Sequence, residues 1–216
     1  QIINGLQSGS IYALVALGYS MVYGIITLLN FAHGDVIMVG AYLVWFTMVR
    51  FSLNPALAAV VAVLGCAILG ITIEKIAYKP LRGSPRISLL ITAIGISYFL
   101  ENAAQMIFGA NAQSIPGIIA WKALKIGNIQ ISGSAVITLA AAAASMTALT
   151  LLVKNTRMGR AMRAVSEDTG AAQLMGVNIS NTISFTFALG AALAGIGSVL
   201  YSCAYPQANP TMGSML

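Results

Sequence analysis

An all-α, polytopic transmembrane bundle with at least six spans is the fold this sequence predicts, on three observations. The 216 residues are 58% hydrophobic and only 7% charged, whereas an ordinary soluble domain carries about 25% charged residues; so few charges cannot cover a soluble surface. Runs free of Lys, Arg, Asp and Glu extend from Gln1 to Gly34, Phe51 to Ile73, Ile126 to Val153 and Thr169 to Leu216. Each is long enough to cross a hydrocarbon core, which takes about 20 helical residues. The net charge of +6 is also segregated: eight of the 11 basic residues are Lys75, Lys79, Arg82 and Arg86, then Lys154, Arg157, Arg160 and Arg163. Two basic loops separated by an even number of spans are what the positive-inside rule produces, and the same segregation argues against nucleic acid as a partner.

The elements follow in order. The first apolar run lacks a basic leader and precedes further spans, so it is not a removable signal peptide. A helix is expected from Ile3 to Tyr19, with Tyr23 to Leu29 continuing apolar up to the break Asn30-Phe31-Ala32-His33-Gly34-Asp35. The uncharged run Val36 to Val49 holds 14 residues, about 21 Å of helix, so this span must recruit Asn30 to Asp35. The orientation of the first helix stays open, Met21 to Gly34 being either a re-entrant half-helix or part of a broken span. A third span covers Pro55 to Ile73, with Pro55 suited to a first helical turn. The loop Glu74 to Arg86 carries the turn signals Lys79-Pro80 and Gly83-Ser84-Pro85. Further spans are expected at about Ile87 to Phe108, Ser134 to Val153 and Ile183 to Tyr201. The fourth and fifth return the chain to the side it left, placing Lys154 to Arg163 with Lys75 to Arg86 on the face taken as cytoplasmic. The connector between them, with Trp121 and the alternation Ile126, Asn128, Ile129, Ile131, is then extracytoplasmic and suits a short hairpin. Cys66 and Cys203 fall in spans and suggest neither a disulfide framework nor a metal site. The absence of an initiator Met and of a polar tail leads to the expectation that the protein continues beyond both ends.

Few residues carry chemistry. Lys154, Arg157, Arg160 and Arg163 recur every third residue and so form one broad basic face on a helix, suited to anionic lipid headgroups and, on a second reading, to a cytoplasmic partner. The following segment, Glu167 to Asn178, reads as a short helix: acids favour its first turn, and Gly176 or Asn178 terminates it. Asn30, His33 and Asp35 are the polar break in an apolar first third. Groups of this kind are costly at membrane depth and usually face a cavity or partner, which makes them candidates for the path or its gate. Equally, Asn30 caps the next helix, Asp35 sits in its first turn and His33 lies at the headgroup boundary. Glu101, with Asn102 and Gln105 near the outer end of its span, is open to the same two readings, an interfacial position being preferred to a site. In the last span Gly190 with Ala194 and Ala191 with Gly195 are small-xxx-small pairs that let helices approach closely.

Two stretches carry a family resemblance. Ala171-Ala172, three residues, then Gly176 fits the spacing of the Glu-Ala-Ala, three residues, Gly motif in the cytoplasmic loop of binding-protein-dependent permeases, with Gly170 in place of the Glu. The stretch Ala16 to Ile26, followed by Leu29-Asn30-Phe31-Ala32-His33-Gly34-Asp35 and Gly40-Ala41-Tyr42, resembles the branched-chain amino acid permeases of the LivH type. Glu74 with Ala77 to Arg82, Ile94 to Ser97, and Thr156 to Ala164 extend the resemblance across the chain. It implies a single transmembrane permease domain over residues 1–216 of a multi-pass inner-membrane protein, with a cytoplasmic coupling loop at about 154–182. Its implied partners are a second homologous permease, two cytoplasmic ATP-binding subunits contacted through Glu167, Asp168, Ala171, Ala172 and Gly176, and a periplasmic amino-acid-binding protein. No Walker A pattern is present, so the ATP belongs to the partner subunits and no cofactor is expected here. The rival readings are a urea or short-amide permease and an ion-coupled secondary transporter.

Overall fold

The computed structural model describes residues 2–26, 30–118, 124–126 and 129–215. Trp121, Asn128 and Leu29 lie outside them. Helix α1 runs Ile2–Ile26, α2 His33–Arg50, α3 Pro55–Ile73, α4 Arg86–Phe108 and α5 Gly133–Asn155. The short helices α6 (Arg157–Glu167) and α7 (Thr169–Leu174) precede α8, Ile179–Ala204. Five segments are long and apolar enough to cross a membrane: Ile3–Ile25, Pro55–Leu81, Arg86–Phe108, Gly133–Asn155 and Ile179–Ala204. The expected span over Val36 to Val49 forms α2, whose 18 residues measure about 27 Å; it is not one of these five, so five of the six expected spans are matched.

Local chemistry sets the helix ends. Pro55 opens α3 and the Asn54 side chain accepts from the Ala56 amide at 3.2 Å. Thr156 caps α6 by accepting from Gly159 N at 2.9 Å. Asp168 caps α7 through Gly170 N and Ala171 N at 2.8 and 3.0 Å, and Asn178 caps α8 through Asn181 N at 3.1 Å. Outside the helices, the expected hairpin forms between β2 (Leu124–Ile126) and β3 (Ile129–Ile131), paired antiparallel. A second antiparallel ladder joins β1 (Gln113–Ser114) to β4 (Gln207–Ala208).

The most apolar stretch of α8 is 61% buried in the bundle, against 11% for that of α5, so α8 is the central post and α5 lies at the periphery. The small residues of α8 do what their spacing predicts. A Cβ on Gly190 would come within 3.1 Å of the Gly18 carbonyl of α1, and one on Gly195 within 2.8 Å of Val63 Cα in α3. Helix α1 runs antiparallel to α8: Gln7 donates to Thr138 near the start of α5 at 3.4 Å, and the Ser8 hydroxyl meets that of Tyr205 just after α8 at 3.4 Å.

Three expectations change. The first helix continues past Tyr19 to Ile26. The loop expected from Glu74 is instead a continuation of α3, through one π-helical turn (Glu74–Tyr78) and a 3-10 turn (Lys79–Leu81), because Glu74 is fully buried and ion-paired to Arg82. The helix expected from Glu167 to Val177 is split at Asp168, whose extended backbone (φ −150, ψ 110) ends α6 and starts α7; Glu167 therefore belongs to α6. The same kind of break at Thr156 leaves Lys154 on α5 and the three arginines on α6.

Candidate functional site

The polar break lies inside the protein. Asn30, His33 and Asp35 keep 6%, 3% and 1% of their surface. Helix α2 starts at Ala32 with no side-chain cap; the Asn30 side chain is used elsewhere, accepting a 2.9 Å hydrogen bond from the Tyr78 hydroxyl in the π turn. His33 stands edge-on to Tyr19, with centroids 6.1 Å apart, and fills the space beside Gly18, where a Cβ would come within 2.9 Å of Nε2. His33 therefore faces the protein interior rather than solvent. Gly34 lies against the backbone of Gly213, so that a Cβ on it would run into the Gly213 carbonyl. The helix α2 thus begins within the bundle, at the level where α1 and α8 cross through Gly18 and Gly190.

A cavity of about 1030 Å³ opens beside this start, between α1, α4 and the segment around Gly213. Asn30, His33 and Gly34 form part of its wall. Helix α1 adds Tyr12, Tyr19 and Ser20, and α4 adds Ile94, Ser97, Tyr98 and Glu101. Those α4 residues recur at intervals of three and four and so share one helix face. Glu101, left open between the outer interface and a site, stands half-buried on the cavity wall. The volume exceeds the usual 300–1,000 Å³ of a small-ligand pocket, so a small solute fits with room for water. Among the described residues no cluster of three His, Cys, Asp or Glu offers a metal site.

A second buried polar group, assigned no role from the sequence, is centred on Glu74 at the end of α3. Glu74 has no exposed surface; one carboxylate oxygen pairs with Arg82 and the other accepts from Ser184 of α8 at 2.5 Å. A buried charge is tolerable only when paired and hydrogen-bonded, and Glu74 meets that condition by tying the end of α3 to the start of α8. In the sequence it stands out through its place at the head of a basic loop and among the residues of the family resemblance, neither of which points to a buried ion pair.

At the end of the bundle that carries α6 and α7, Arg157, Arg160 and Arg163 project outward while Gly159, Met162 and Val165 of α6 face the bundle. Of the coupling candidates, Ala172 is buried, whereas Glu167, Asp168, Ala171 and Gly176 are exposed. Gly176 adopts φ +82 and closes α7: its amide bonds to the Gln173 carbonyl and that of Val177 to the Ala172 carbonyl, both at 3.0 Å, the Schellman arrangement. Beside it stand two side chains not singled out before, Leu174 and Met175, exposed by 91% and 84%.

The comparisons with known proteins agree along the whole length. The family model described as branched-chain amino acid transport system / permease component matches residues 1–216. The chain is 38% identical over 225 residues to the high-affinity branched-chain amino acid transport system permease protein BraD of Pseudomonas aeruginosa, covering 99% of this chain and 73% of that one. To the permease protein LivH of Escherichia coli it is 37% identical over 228 residues, covering 100% and 74%. To the probable branched-chain amino acid transport permease protein LivH of Methanocaldococcus jannaschii it is 29% identical over 208 residues, covering 90% and 64%. No solved structure matches the chain. The family is one of membrane transport permeases and not of enzymes, and the apolar helices fit an integral membrane protein. With a family model matched from end to end and relatives above 30% identity aligned over the full length, the chain belongs to the branched-chain amino acid transport permease family.

Proposed function

We propose that this chain is the membrane-spanning permease subunit of an ATP-binding-cassette importer, carrying branched-chain amino acids across the bacterial inner membrane. The observation that carries the reading is the full-length match to permeases named for that substrate class. A solute-sized cavity at the interrupted start of α2 supports it. In this reading the polar stretch from Asn30 and α2 together make one crossing, giving six, and the N-terminus of α1 faces outside with β1 and β4. A second permease completes the path, a periplasmic binding protein delivers the amino acid, and two ATP-binding subunits dock on α7. The exposed Leu174 and Met175 supply the apolar contact that Ala171, Ala172 and Gly176 alone do not. Relatives named for branched-chain amino acids favour these substrates over urea or amides.

The test is uptake of radiolabelled leucine, isoleucine and valine into proteoliposomes holding the full complex with its binding protein. Uptake is expected to require both ATP and the binding protein. Uptake of urea without leucine, or leucine uptake driven by an ion gradient without ATP, would refute the assignment.

A further inference from the structure

The cavity wall is chemically one-sided. Among the described residues it carries the carboxylate of Glu101 and no Lys or Arg. Asp35 lies behind this wall, next to the lining residues His33 and Gly34 on α2 and against Gly213: it is 1% exposed, its Oδ1 has no hydrogen-bond partner, and its carboxyl is within electrostatic reach of Ser97 and Glu101 on α4. Gly213 makes this approach possible, since a Cβ there would collide with Asp35. Arg82, the basic side chain paired within the bundle, is committed to Glu74.

Two neighbouring carboxylates in a membrane-embedded site, one of them buried with an unpaired oxygen, repel each other, and no Lys or Arg on the described cavity wall offsets their charge. A cationic group between them removes both costs. The amino acid to be carried brings one, its α-ammonium, on an otherwise aliphatic molecule. The rest of the wall suits that remainder: Val15, Ala16 and Ile94 are aliphatic, and Tyr12, Tyr19 and Tyr98 offer ring faces. We infer that Glu101 and Asp35 form the ammonium-binding pair of the translocation cavity, holding the zwitterion by its positive end while its side chain lies among the aliphatic and aromatic wall residues. This rests on the transport reading above and adds to it the residues that recognise the solute after the binding protein has released it.

The assembled transporter in proteoliposomes, supplied with loaded binding protein, gives two readouts: leucine imported per ATP hydrolysed, and binding-protein-stimulated hydrolysis. Loss of one charged hydrogen bond to the solute should lower the leucine-to-ATP ratio of Glu101→Gln by about tenfold or more. Stimulated hydrolysis and the half-saturating concentration of binding protein should stay unchanged, because both report contacts remote from the cavity. Glu101→Asp should recover part of the ratio. Asp35→Asn combined with Glu101→Gln should cost less than the two single effects summed, as groups sharing one ligand do. A normal ratio in Glu101→Gln overturns the inference. So does a wild-type ratio that varies with sodium at constant ionic strength and loses that dependence in Glu101→Gln, which would give the pair to an inorganic cation. A wild-type complex that imports no leucine refutes the transport reading itself, an outcome separate from both.

Discussion

Truncating Leu174 and Met175 together to Ala separates docking from folding more cleanly than any other change on the cytoplasmic face. The two side chains are 91% and 84% exposed, so the chain's own stability should move by no more than about 0.5 kcal/mol, as for surface substitutions elsewhere. If an ATP-binding subunit covers them, each contributes roughly 1.5–3 kcal/mol on burial. The lower bound for the pair, about 3 kcal/mol, corresponds to a roughly 150-fold weaker association. The assay is retention of the ATP-binding subunits through purification of the tagged permease, with stimulated ATP hydrolysis as the second measure and thermal unfolding of the permease as the control. Expected are lost subunits, lost stimulation and an unchanged unfolding midpoint. Full retention with normal stimulation would remove α7 as the docking helix. Gly176→Glu is the less informative variant, because φ +82 already penalises any side chain there by about 1–2 kcal/mol whether or not a partner is present.

Three further outcomes follow from the same contacts. Glu74→Ala leaves Arg82 unpaired and Ser184 without its acceptor; breaking a buried pair costs about 3–5 kcal/mol, and the lower end applies because the Arg82 side chain keeps 26% exposure, so a clear fall in Tm is expected and an unchanged Tm would contradict the pairing. Gly34→Ala drives a methyl into the Gly213 carbonyl, an overpacking cost of about 1–3 kcal/mol; hydrogen exchange around Gly213–Met215 should accelerate, and unaltered exchange would argue against that contact. Single cysteines at Ser84 and Ser166 should react only from the cytoplasm and one at Ser114 only from outside; opposite labelling of Ser84 and Ser166 would dismantle the six-crossing arrangement.

What was legible in the sequence was local. Pro55 marks the start of α3 because proline's missing amide is harmless in a first turn, and the structure opens the helix there. The Asn30 to Asp35 break stands out as polar residues against an apolar background, and the structure starts α2 within it, with Asn30 to Ala32 ahead of the helix and His33 to Asp35 in its first turn. What escaped depends on partners far along the chain. Glu74 looks like part of a basic loop until Ser184, 110 residues later, supplies its hydrogen bond. Glu101 looks interfacial until α1 and the Gly213 segment close a cavity over its face of α4. Leu174 and Met175 carry no signal in a chain that is 58% hydrophobic, since only the fold shows that they project outward. The division of the cytoplasmic segment at Asp168 fell between the two kinds: its affinity for a helix N-terminus was readable, but the place where α6 stops was not.

The buried polar contacts also explain why the end of α3 winds as it does. An α-helix continued regularly past Ile73 would change the faces presented by Glu74 and Tyr78. The π turn over Glu74–Tyr78 adds one residue per hydrogen-bonded ring, a local widening that occurs mostly at functional positions, and it lets Glu74 reach Ser184 while Tyr78 reaches Asn30. Two hydrogen bonds and this turn therefore separate α8, which follows α7 after the short link through Asn178, from a residue on the cavity wall. Along that route Asn178 caps α8, Ser184 donates to Glu74, and Tyr78 donates to Asn30 ahead of α2. Importers of this kind need a rigid connection of that sort, since a docking helix joined to the bundle by slack loops would absorb the motion of the ATP-binding subunits instead of transmitting it. The buried charge of Glu74 is costly to place and unnecessary for a helix end alone; holding α3, α8 and the break in one arrangement accounts for it.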